Sequence, residues 1–254
     1  MPLSCAAGRV LIVIPAFNEE QCLPGTLQEL RRRLPDADVV VVDDGSADAT
    51  ASVAHDAGVP VLRLPFNLGV GGAMRAGFLH AHRNGFDVVI QLDADGQHDP
   101  SQVPELIRIL VEQPADVVVG ARFDGEGDYA ARGPRRWAMF VLAKVVSRRT
   151  GVRLTDVTSG FRVAGPRAVA LFAQQYPADY LGDTVESLLL AHAAGLRLCQ
   201  QPVHMRSRNG GLPSTPPLRS TLYLLRALLV LVVFLARGRR LRRSAAVRAA
   251  HESR

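Results

Sequence analysis

Three short apolar runs constrain the fold of this chain more than any other feature. Residues 10–14, 39–42 and 88–90 contain only valine, leucine and isoleucine. Short β-branched runs of this kind are typical of strands that are buried on both faces. Helical patterns separate them, at about residues 19–34 and 47–57. This alternation predicts an α/β fold with a mostly parallel sheet and helices on both of its faces.

Polar side chains follow the apolar runs. Because ligands of parallel sheets bind outside the carboxyl ends of the strands, we expect four side chains to gather there: Asn18, Asp44, Asp93 and Asp95. A hard divalent cation prefers carboxylate and diphosphate oxygens, so Asp93 and Asp95 predict a metal-held nucleotide. Two structural alternatives stay open. The pair also suits a solvated acidic turn before a helix capped by Asp99, and Asp44 also suits a cap for the helix after Ser46.

A glycine-rich stretch at residues 69–74 fits neither of two common nucleotide-binding loops. Met74 stands where a dinucleotide fingerprint needs a small residue, and Phe78 and Leu79 stand where a P-loop needs Lys and Ser or Thr. A Rossmann dehydrogenase and a P-loop triphosphatase are therefore disfavoured. The stretch predicts a helix amino terminus where Gly72 lets the backbone approach a ligand or a neighbouring helix.

Four motifs, in their order and spacing, resemble those of family 2 glycosyltransferases with the GT-A fold. They are residues 14–20 (IPAFNEE), 42–46 (VDDGS), 67–73 (NLGVGGA) and 92–98 (LDADGQH). Further segments resemble the branch of this family that contains dolichyl-phosphate mannosyltransferase and bacterial polyprenyl-phosphate glycosyltransferases: residues 120–123, 156–162, Glu186 and 208–211. The resemblance covers about residues 9–214.

The resemblance implies a set of site residues. Those expected to bind the nucleotide sugar are Pro15, Ala16, Asn18, Glu19, Asp44, Asn67, Gly72, Asp93, Gln97 and Arg122. Those expected to hold Mg²⁺ or Mn²⁺ are Asp93, Asp95 and Gln97. The expected catalytic residues are Asp95, Asp156, Glu186 and Arg208. Acceptor phosphate is expected at Arg135, Arg136 and Arg208, because a guanidinium binds phosphate bidentately.

Several of these residues also have structural interpretations. Arg135 and Arg136 suit a solvated basic surface, and Asp156 suits an ion pair with Arg162. Glu186 opens a helix predicted at residues 184–194, where a carboxylate favours the helix dipole whatever its chemistry.

The identity of the acceptor decides which residues matter most. A phosphate acceptor is already an anionic nucleophile, so an inverting transfer to it needs no strong general base. A sugar hydroxyl would need one, and Glu186 or Asp183 would be the first candidate. Residues 212–215 replace the Ser-Lys ending that is usual in the lipid-phosphate branch, which leaves the hydroxyl alternative open.

Length and composition fit one enzyme domain with an appended segment. The chain has 254 residues, 48% of them hydrophobic, without a low-complexity tract or repeat. We expect a catalytic domain over residues 1–215 and a membrane-associating helix with a basic tail over residues 216–254. Residues 1–8 lack the pattern of a secretory signal, which favours a cytoplasmic location for the catalytic domain. The three cysteines show no metal or disulfide spacing.

The appended segment has the pattern of a helix that lies in a membrane interface. Residues 222–236 are apolar except for Arg226, and five arginines follow within residues 237–243. A central arginine costs about 2.5–3.5 kcal/mol on insertion scales, and the 17 residues between Arg219 and Arg237 are at the lower limit for a span. We therefore favour an interfacial helix over a spanning or a buried one. Nucleic acid is disfavoured as a partner because no aromatic residues interleave with the arginines.

These observations together predict an enzyme that moves a hexose from a nucleotide-diphosphate sugar, GDP- or UDP-linked, to polyprenyl phosphate at the cytoplasmic face of the membrane. Two alternatives remain. One is transfer to a hydroxyl of a lipid-linked saccharide or cell-envelope glycan, and the other is a non-catalytic nucleotide-sugar-binding scaffold. The sequence also leaves open a homo-oligomer or a membrane protein partner.

Overall fold

The computed structural model of the chain describes residues 7–122, 134–177 and 183–206, with the side chains of residues 134–136 left out. The chain divides into two units, residues 1–214 and 215–254, and all described residues belong to the first. The predictions for Arg208, for the side chains of Arg135 and Arg136 and for the appended helix therefore lie outside the described residues.

Strands and helices alternate along the described chain. The strands are β1 (Val10–Ala16), β2 (Asp38–Asp43), β3 (Val61–Arg63), β4 (Val88–Gln91), β5 (Val117–Ala121), β6 (Arg162–Ala164) and β7 (Leu198–Pro202). The helices are α1 (Leu23–Arg33), α2 (Thr50–Asp56), α3 (Gly69–Arg83), α4 (Val103–Glu112), α5 (Pro134–Thr150), α6 (Pro166–Gln175) and α7 (Asp183–Ala193). A short 3₁₀ turn, Pro100–Gln102, precedes α4.

These strands form one sheet in the order β3-β2-β1-β4-β6-β5-β7. All pairs are parallel except those of β6, which runs antiparallel to β4 and β5. The prediction of a mostly parallel α/β sheet is therefore confirmed. The reversed strand β6 has only three residues, too few to show a period of its own in the sequence.

The apolar runs form the centre of the core. Ile12, Ile14 and Ile90 are fully buried, because helices cover both faces of the strands that carry them. Phe161, just before β6, is the bulkiest of the fully buried side chains in the described core.

Two predicted helices begin later than their patterns indicate. Cys22 and Leu23 donate to the carbonyl of Glu19, so residues 19–22 form a turn and α1 starts at Leu23, with Pro24 in its first turn. The Asp48 carboxylate accepts the N–H of Thr50, which places a side-chain-stabilised turn before α2. No helix in the described part of the chain is long and apolar enough to cross a bilayer.

Candidate active site

The carboxyl ends of β2, β1 and β4 lie side by side and bring the predicted polar residues to one edge of the sheet. The turns that follow stay at this edge, since the N–H of Asp44 donates to the carbonyl of Ala16 at 2.8 Å and that of Leu92 donates to the carbonyl of Val13 at 3.1 Å. Ligands of parallel sheets bind at such an edge.

An acidic loop, residues 93–99, leaves the end of β4. Asp95 is buried, and its Oδ1 accepts the N–H of Gln97 at 3.0 Å. Thr26 on α1 donates its hydroxyl to the carbonyl of Ala94 at 2.8 Å, so the helix holds the middle of the loop. Asp93 keeps 36% of its side chain exposed. The loop thus presents one accessible carboxylate beside one that is largely enclosed.

His98 fixes Asp93 from inside the loop. The N–H of Asp93 donates to His98 Nδ1 at 3.0 Å, which leaves the ring proton on Nε2, and Nε2 lies 3.4 Å from Asp93 Oδ2. The buried ring stacks on Phe161 with 4.8 Å between centroids. Sequence analysis gave His98 no role, although it adjoins the acidic pair within one motif.

Gly160 lies against the other side of Asp93. A Cβ at this position would stand 2.7 Å from Gln91 Nε2 and 3.4 Å from Asp93 Oδ1. Gln91 Nε2 in turn lies 3.4 Å from Asp93 Oδ1. The segment that contains Gly160 therefore touches the acidic loop directly, and a side chain larger than hydrogen would disturb it.

The donor set fits a divalent cation that arrives with a diphosphate. Among the described residues, no group of three or more His, Cys, Asp or Glu is arranged to hold a metal ion. Mg²⁺ sites commonly use one or two carboxylates, with waters and substrate phosphates as the other ligands. Asp93 and Asp95 can provide that number of carboxylates. Gln97 contributes its backbone N–H to Asp95, and its side chain is half-buried.

The end of β1, where Pro15 and Ala16 are buried, is tied to the turn after β2. Asn18 has a left-handed backbone with φ 54°, donates its N–H to Ser46 Oγ at 3.0 Å and accepts the N–H of Ala47 at 2.9 Å. Buried Glu19 donates its N–H to Thr50 Oγ1 at 2.8 Å. Asn18 and Glu19 thereby join two neighbouring turns at the expected nucleotide edge.

Asp44 caps a different helix from that named in its structural alternative, the helix after Ser46. Its carboxylate accepts the N–H of Leu68 at 2.7 Å and that of Gly69 at 2.8 Å, which is the amino terminus of α3, not the helix after Ser46. Burial raises the pKa of Asp44 above its ordinary value, against the effect of these two hydrogen bonds.

The glycines of α3 serve close packing. A Cβ on buried Gly72 would collide with the side chain of Leu68, and one on Gly77 would collide with Val13 of β1. Asn67 is exposed and accepts the N–H of Gly69 at 3.0 Å. The contact of Gly72 is with the start of its own helix, and the role expected for Gly72 beside a ligand stays a prediction.

Asp156 pairs with Arg122, so the alternative ion pair with Arg162 is wrong. Arg122 Nε lies 2.6 Å from Asp156 Oδ2, and Nη2 lies 3.0 Å from Oδ1 and 2.7 Å from Thr158 Oγ1. Burial alone would raise the pKa of Asp156, but the hydrogen bonds and charge of Arg122 outweigh it and lower that pKa. Asp156 thus fixes the Arg122 guanidinium at the end of β5.

Arg162 is buried and donates to the carbonyls of Ser159 and Val157 and to Ser187 Oγ, at 2.8–3.0 Å. It faces the start of α7, where burial raises the pKa of Asp183 to about 6 although the charge of Arg162 opposes that rise. Glu186, one turn further along α7, is half-buried. The two candidate bases therefore sit in different surroundings.

This combination, an α/β sheet with an acidic loop at its carboxyl edge, defines a protein whose ligand binds at the strand ends. Residues 11–169 match the model of glycosyl transferase family 2, and the chain belongs to this family. It is a glycosyltransferase.

Two relatives have names that refer to polyprenyl phosphates. The chain is 39% identical over 215 residues to undecaprenyl-phosphate mannosyltransferase of Micrococcus luteus, covering 80% of this chain and 86% of the relative. It is 33% identical over 161 residues to polyprenol monophosphomannose synthase of Mycolicibacterium smegmatis, covering 61% and 60%.

Solved structures support the GT-A-like fold. Glucosyl-3-phosphoglycerate synthase of Mycobacterium tuberculosis, in complex with Mn²⁺, uridine diphosphate and glucosyl-3-phosphoglycerate, superposes with a TM-score of 0.70 at 19% identity. The match covers 91% of this chain and 81% of that one. The same enzyme also has a structure with Mg²⁺ and uridine diphosphate, with a TM-score of 0.70.

Proposed function

We propose that this glycosyltransferase moves a hexose from a nucleotide-diphosphate sugar to polyprenyl phosphate at the cytoplasmic face of the membrane. The observation that carries the proposal is the acidic loop at the carboxyl edge, where His98 fixes Asp93 beside buried Asp95. The polyprenyl-phosphate activity in the name of the Micrococcus luteus relative supports the acceptor class.

Asp93 and Asp95 would hold the Mg²⁺ or Mn²⁺ that accompanies the donor diphosphate. The backbone N–H of Gln97 would keep Asp95 in place. When bound, the cation would neutralise the charge that develops on the leaving diphosphate. Hydrogen bonds within the chain order this site before any ligand binds. His98 orients Asp93, Thr26 holds Ala94, and Asn18, Glu19 and Asp44 order the turns along which the nucleotide would lie.

A phosphate acceptor makes no demand on the candidate bases. Asp183 is buried where it faces Arg162, and Glu186 is half-buried. A phosphate oxygen is already ionised and needs neither of them to remove a proton. The site would instead align the acceptor with guanidinium groups. We assign this task to Arg208, with Arg135 and Arg136, on the strength of the sequence resemblance.

An exposed stripe on α5 supports association with a membrane. Trp137 and Phe140 are 67% and 62% exposed, and the ammonium of Lys144 lies 5.7 Å from the Phe140 ring. Exposed Arg148 continues the stripe. Aromatic rings next to cations are typical of surfaces that meet lipid headgroups, and α5 would thus add to the attachment predicted for residues 216–254.

The direct test is a radiolabel transfer assay on the full chain, with a panel of UDP- and GDP-hexoses, short-chain polyprenyl phosphate and Mn²⁺. Asp95→Asn should lower transfer about a hundredfold, because the cation loses a charged ligand at the reacting diphosphate. Asp56→Asn, at an exposed carboxylate of α2, is the matched control and should leave transfer unchanged. Full transfer by Asp95→Asn in the presence of chelator would remove the metal role.

The same assay separates the acceptor classes. With a phosphate acceptor, Glu186→Gln should keep appreciable turnover and Arg208→Ala should lose most of it. If Glu186→Gln abolishes transfer in a folded protein while Arg208→Ala is near normal, the acceptor is a hydroxyl and the polyprenyl-phosphate proposal must be abandoned.

A further inference from the structure

A short segment after β7 runs along the acidic loop and pairs with it. Met205 forms an antiparallel bridge with His98, and the N–H of Arg206 donates to the carbonyl of Gln97 at 3.0 Å. His204 exchanges two hydrogen bonds with the side-chain amide of Gln102, at 2.7 and 2.8 Å. The segment 204–206 is therefore hydrogen-bonded to the loop and to the 3₁₀ turn that follows it.

The Arg206 side chain extends this pairing to a third element. Its Nη1 lies 2.7 Å from Glu29 Oε2 on α1, and its Nη2 lies 2.8 Å from Asp99 Oδ2 at the end of the acidic loop. Charge-assisted bonds from one guanidinium to two carboxylates are directional. We call these three residues the Arg206 clamp.

The clamp is partly shielded from solvent. The side chains of Glu29 and Asp99 are only 17% and 18% exposed. Ion pairs on an open surface contribute little, whereas a guanidinium held between two half-buried carboxylates is constrained in position. Arg108 on α4 bridges Glu105 and Glu112 in a similar way, but all three side chains are exposed, so this group provides a comparison.

The two candidate metal ligands of the acidic loop, Asp93 and Asp95, have supports outside the clamp. Asp93 is bonded to His98, Asp95 to the N–H of Gln97, and Ala94 to Thr26, and none of these bonds involves the Arg206 side chain. The Arg206 side chain instead holds Asp99 at the end of the loop, and with it the register of residues 204–206 against the loop.

We infer that Arg206 is a positioning residue, which holds the segment leading to Arg208 in register with the acidic loop. Arg208 follows only two residues later in the sequence, so a change of register at Arg206 should impair the acceptor role proposed for Arg208. The inference rests on the acceptor role proposed for Arg208. Because a displacement of about 1 Å can cost about a hundredfold in rate, a loosened clamp should be visible in the kinetics.

The test compares Arg206→Gln with Arg108→Gln in the full chain. For Arg206→Gln we expect kcat/KM for short-chain polyprenyl phosphate to fall about tenfold or more, with the Kd for nucleotide diphosphate and Mn²⁺ changed by less than about twofold. The kcat/KM of Arg206→Lys should lie between those of the wild type and Arg206→Gln, because an ammonium group cannot bind two carboxylates with the planar geometry of a guanidinium. Arg108→Gln should match the wild type. A merely stabilising ion pair would lower the melting temperature without this split between donor and acceptor.

A double variant tests whether the three residues act as a unit. Glu29→Gln alone should reproduce part of the kinetic defect. Glu29→Gln with Arg206→Gln should be no worse than Arg206→Gln alone, because the Glu29–Arg206 ion pair is already lost in that variant. Full additivity of the two kinetic defects would contradict the inference that Glu29 and Arg206 act through one shared contact.

Hydrogen exchange separates this inference from the proposed function. Arg206→Gln should speed amide exchange in residues 204–206, where the Arg206 N–H is bonded to Gln97, whichever acceptor the enzyme uses. Unchanged exchange would overturn the clamp. Faster exchange with unchanged acceptor kinetics would overturn the positioning role while the proposed function stands. If the wild type transfers only to a hydroxyl, the proposed function fails, and the same comparison on that acceptor decides the role of Arg206.

Discussion

At the scale of single residues, the acidic loop depends on side chains other than its own carboxylates. His98 is the clearest case, because both ring nitrogens face Asp93. His98→Phe would keep the stacking on Phe161 but leave the N–H of Asp93 without its acceptor. We expect the Mn²⁺ concentration for half-maximal nucleotide binding to rise about tenfold, as for other residues that orient a metal ligand.

Isothermal titration of nucleotide diphosphate at several Mn²⁺ concentrations measures this shift. The unpaired buried N–H should also lower the free energy of unfolding by about 1–3 kcal/mol, which thermal denaturation will show. His55→Phe, at an exposed histidine, serves as the control. A stable His98→Phe protein with the wild-type Mn²⁺ dependence would mean that His98 has only a packing role.

The carboxylates of the site can be predicted from the sequence, but the residues that hold them in place cannot. The difference lies in how far apart the contacting residues are along the chain. Asp93 and Asp95 are visible because they follow an apolar strand within one motif. Thr26 reaches Ala94 across 68 residues and Arg206 reaches Glu29 across 177, so neither contact leaves a local pattern. The alternative ion pair of Asp156 with Arg162 joins residues six apart, whereas its partner in the structure, Arg122, lies 34 residues away and leaves no local pattern either.

At the scale of elements, the segment before β6 connects two parts of the site. Residues 156–158 hold Arg122, and Gly160 lies against Asp93. Gly160→Ala would place a methyl group too close to Gln91 Nε2. The Gln91 amide would have to move, and its contact with Asp93 Oδ1 would be lost. We expect transfer to fall about tenfold through weaker metal binding, with an overpacking cost of about 1 kcal/mol in stability.

Gly165→Ala is the control for that change. A Cβ there would meet Leu110 at 3.4 Å, an ordinary contact. Gly165 lies just after β6, whereas Gly160 lies just before it. Transfer assays at low and saturating Mn²⁺ compare the two variants. Equal, small losses in both would show that the space beside Asp93 does not matter for the site.

Strands that are buried on both faces are predictable from the sequence, whereas strands with polar residues are not. β1, β2 and β4 match the apolar runs closely because both faces of each are buried. β7 contains two glutamines and a proline, and it carries no pattern of a strand. The start of α1 is misplaced because the turn at residues 19–22 satisfies backbone groups that the helical pattern alone assigns to a helix.

At the scale of the whole molecule, the charge distribution is the basis for assigning catalysis and the proposed membrane attachment to different parts of the chain. The net charge is +6, and the arginines of residues 237–243 account for most of that excess. The described acidic loop and nucleotide edge all lie before residue 207. Two signals are generally needed for stable attachment to a membrane surface, and this chain has an exposed aromatic and cationic stripe on α5 together with a predicted apolar helix and basic tail.

Truncation after Thr215 should therefore separate the two activities. Without residues 216–254, the protein should still bind nucleotide diphosphate with Mn²⁺, because the acidic loop and its supports remain. Co-sedimentation with vesicles that contain anionic lipid should fall at least about tenfold, since both the apolar helix and the polybasic tail are lost. Transfer to long-chain polyprenyl phosphate should fall with it, because the acceptor is no longer concentrated at the site. Transfer to a short, soluble acceptor should change less.

Replacing Trp137 and Phe140 with serine in the truncated chain should remove the remaining sedimentation. Unchanged sedimentation after truncation would reject the anchor, and lost nucleotide affinity would mean that residues 216–254 belong to the catalytic unit.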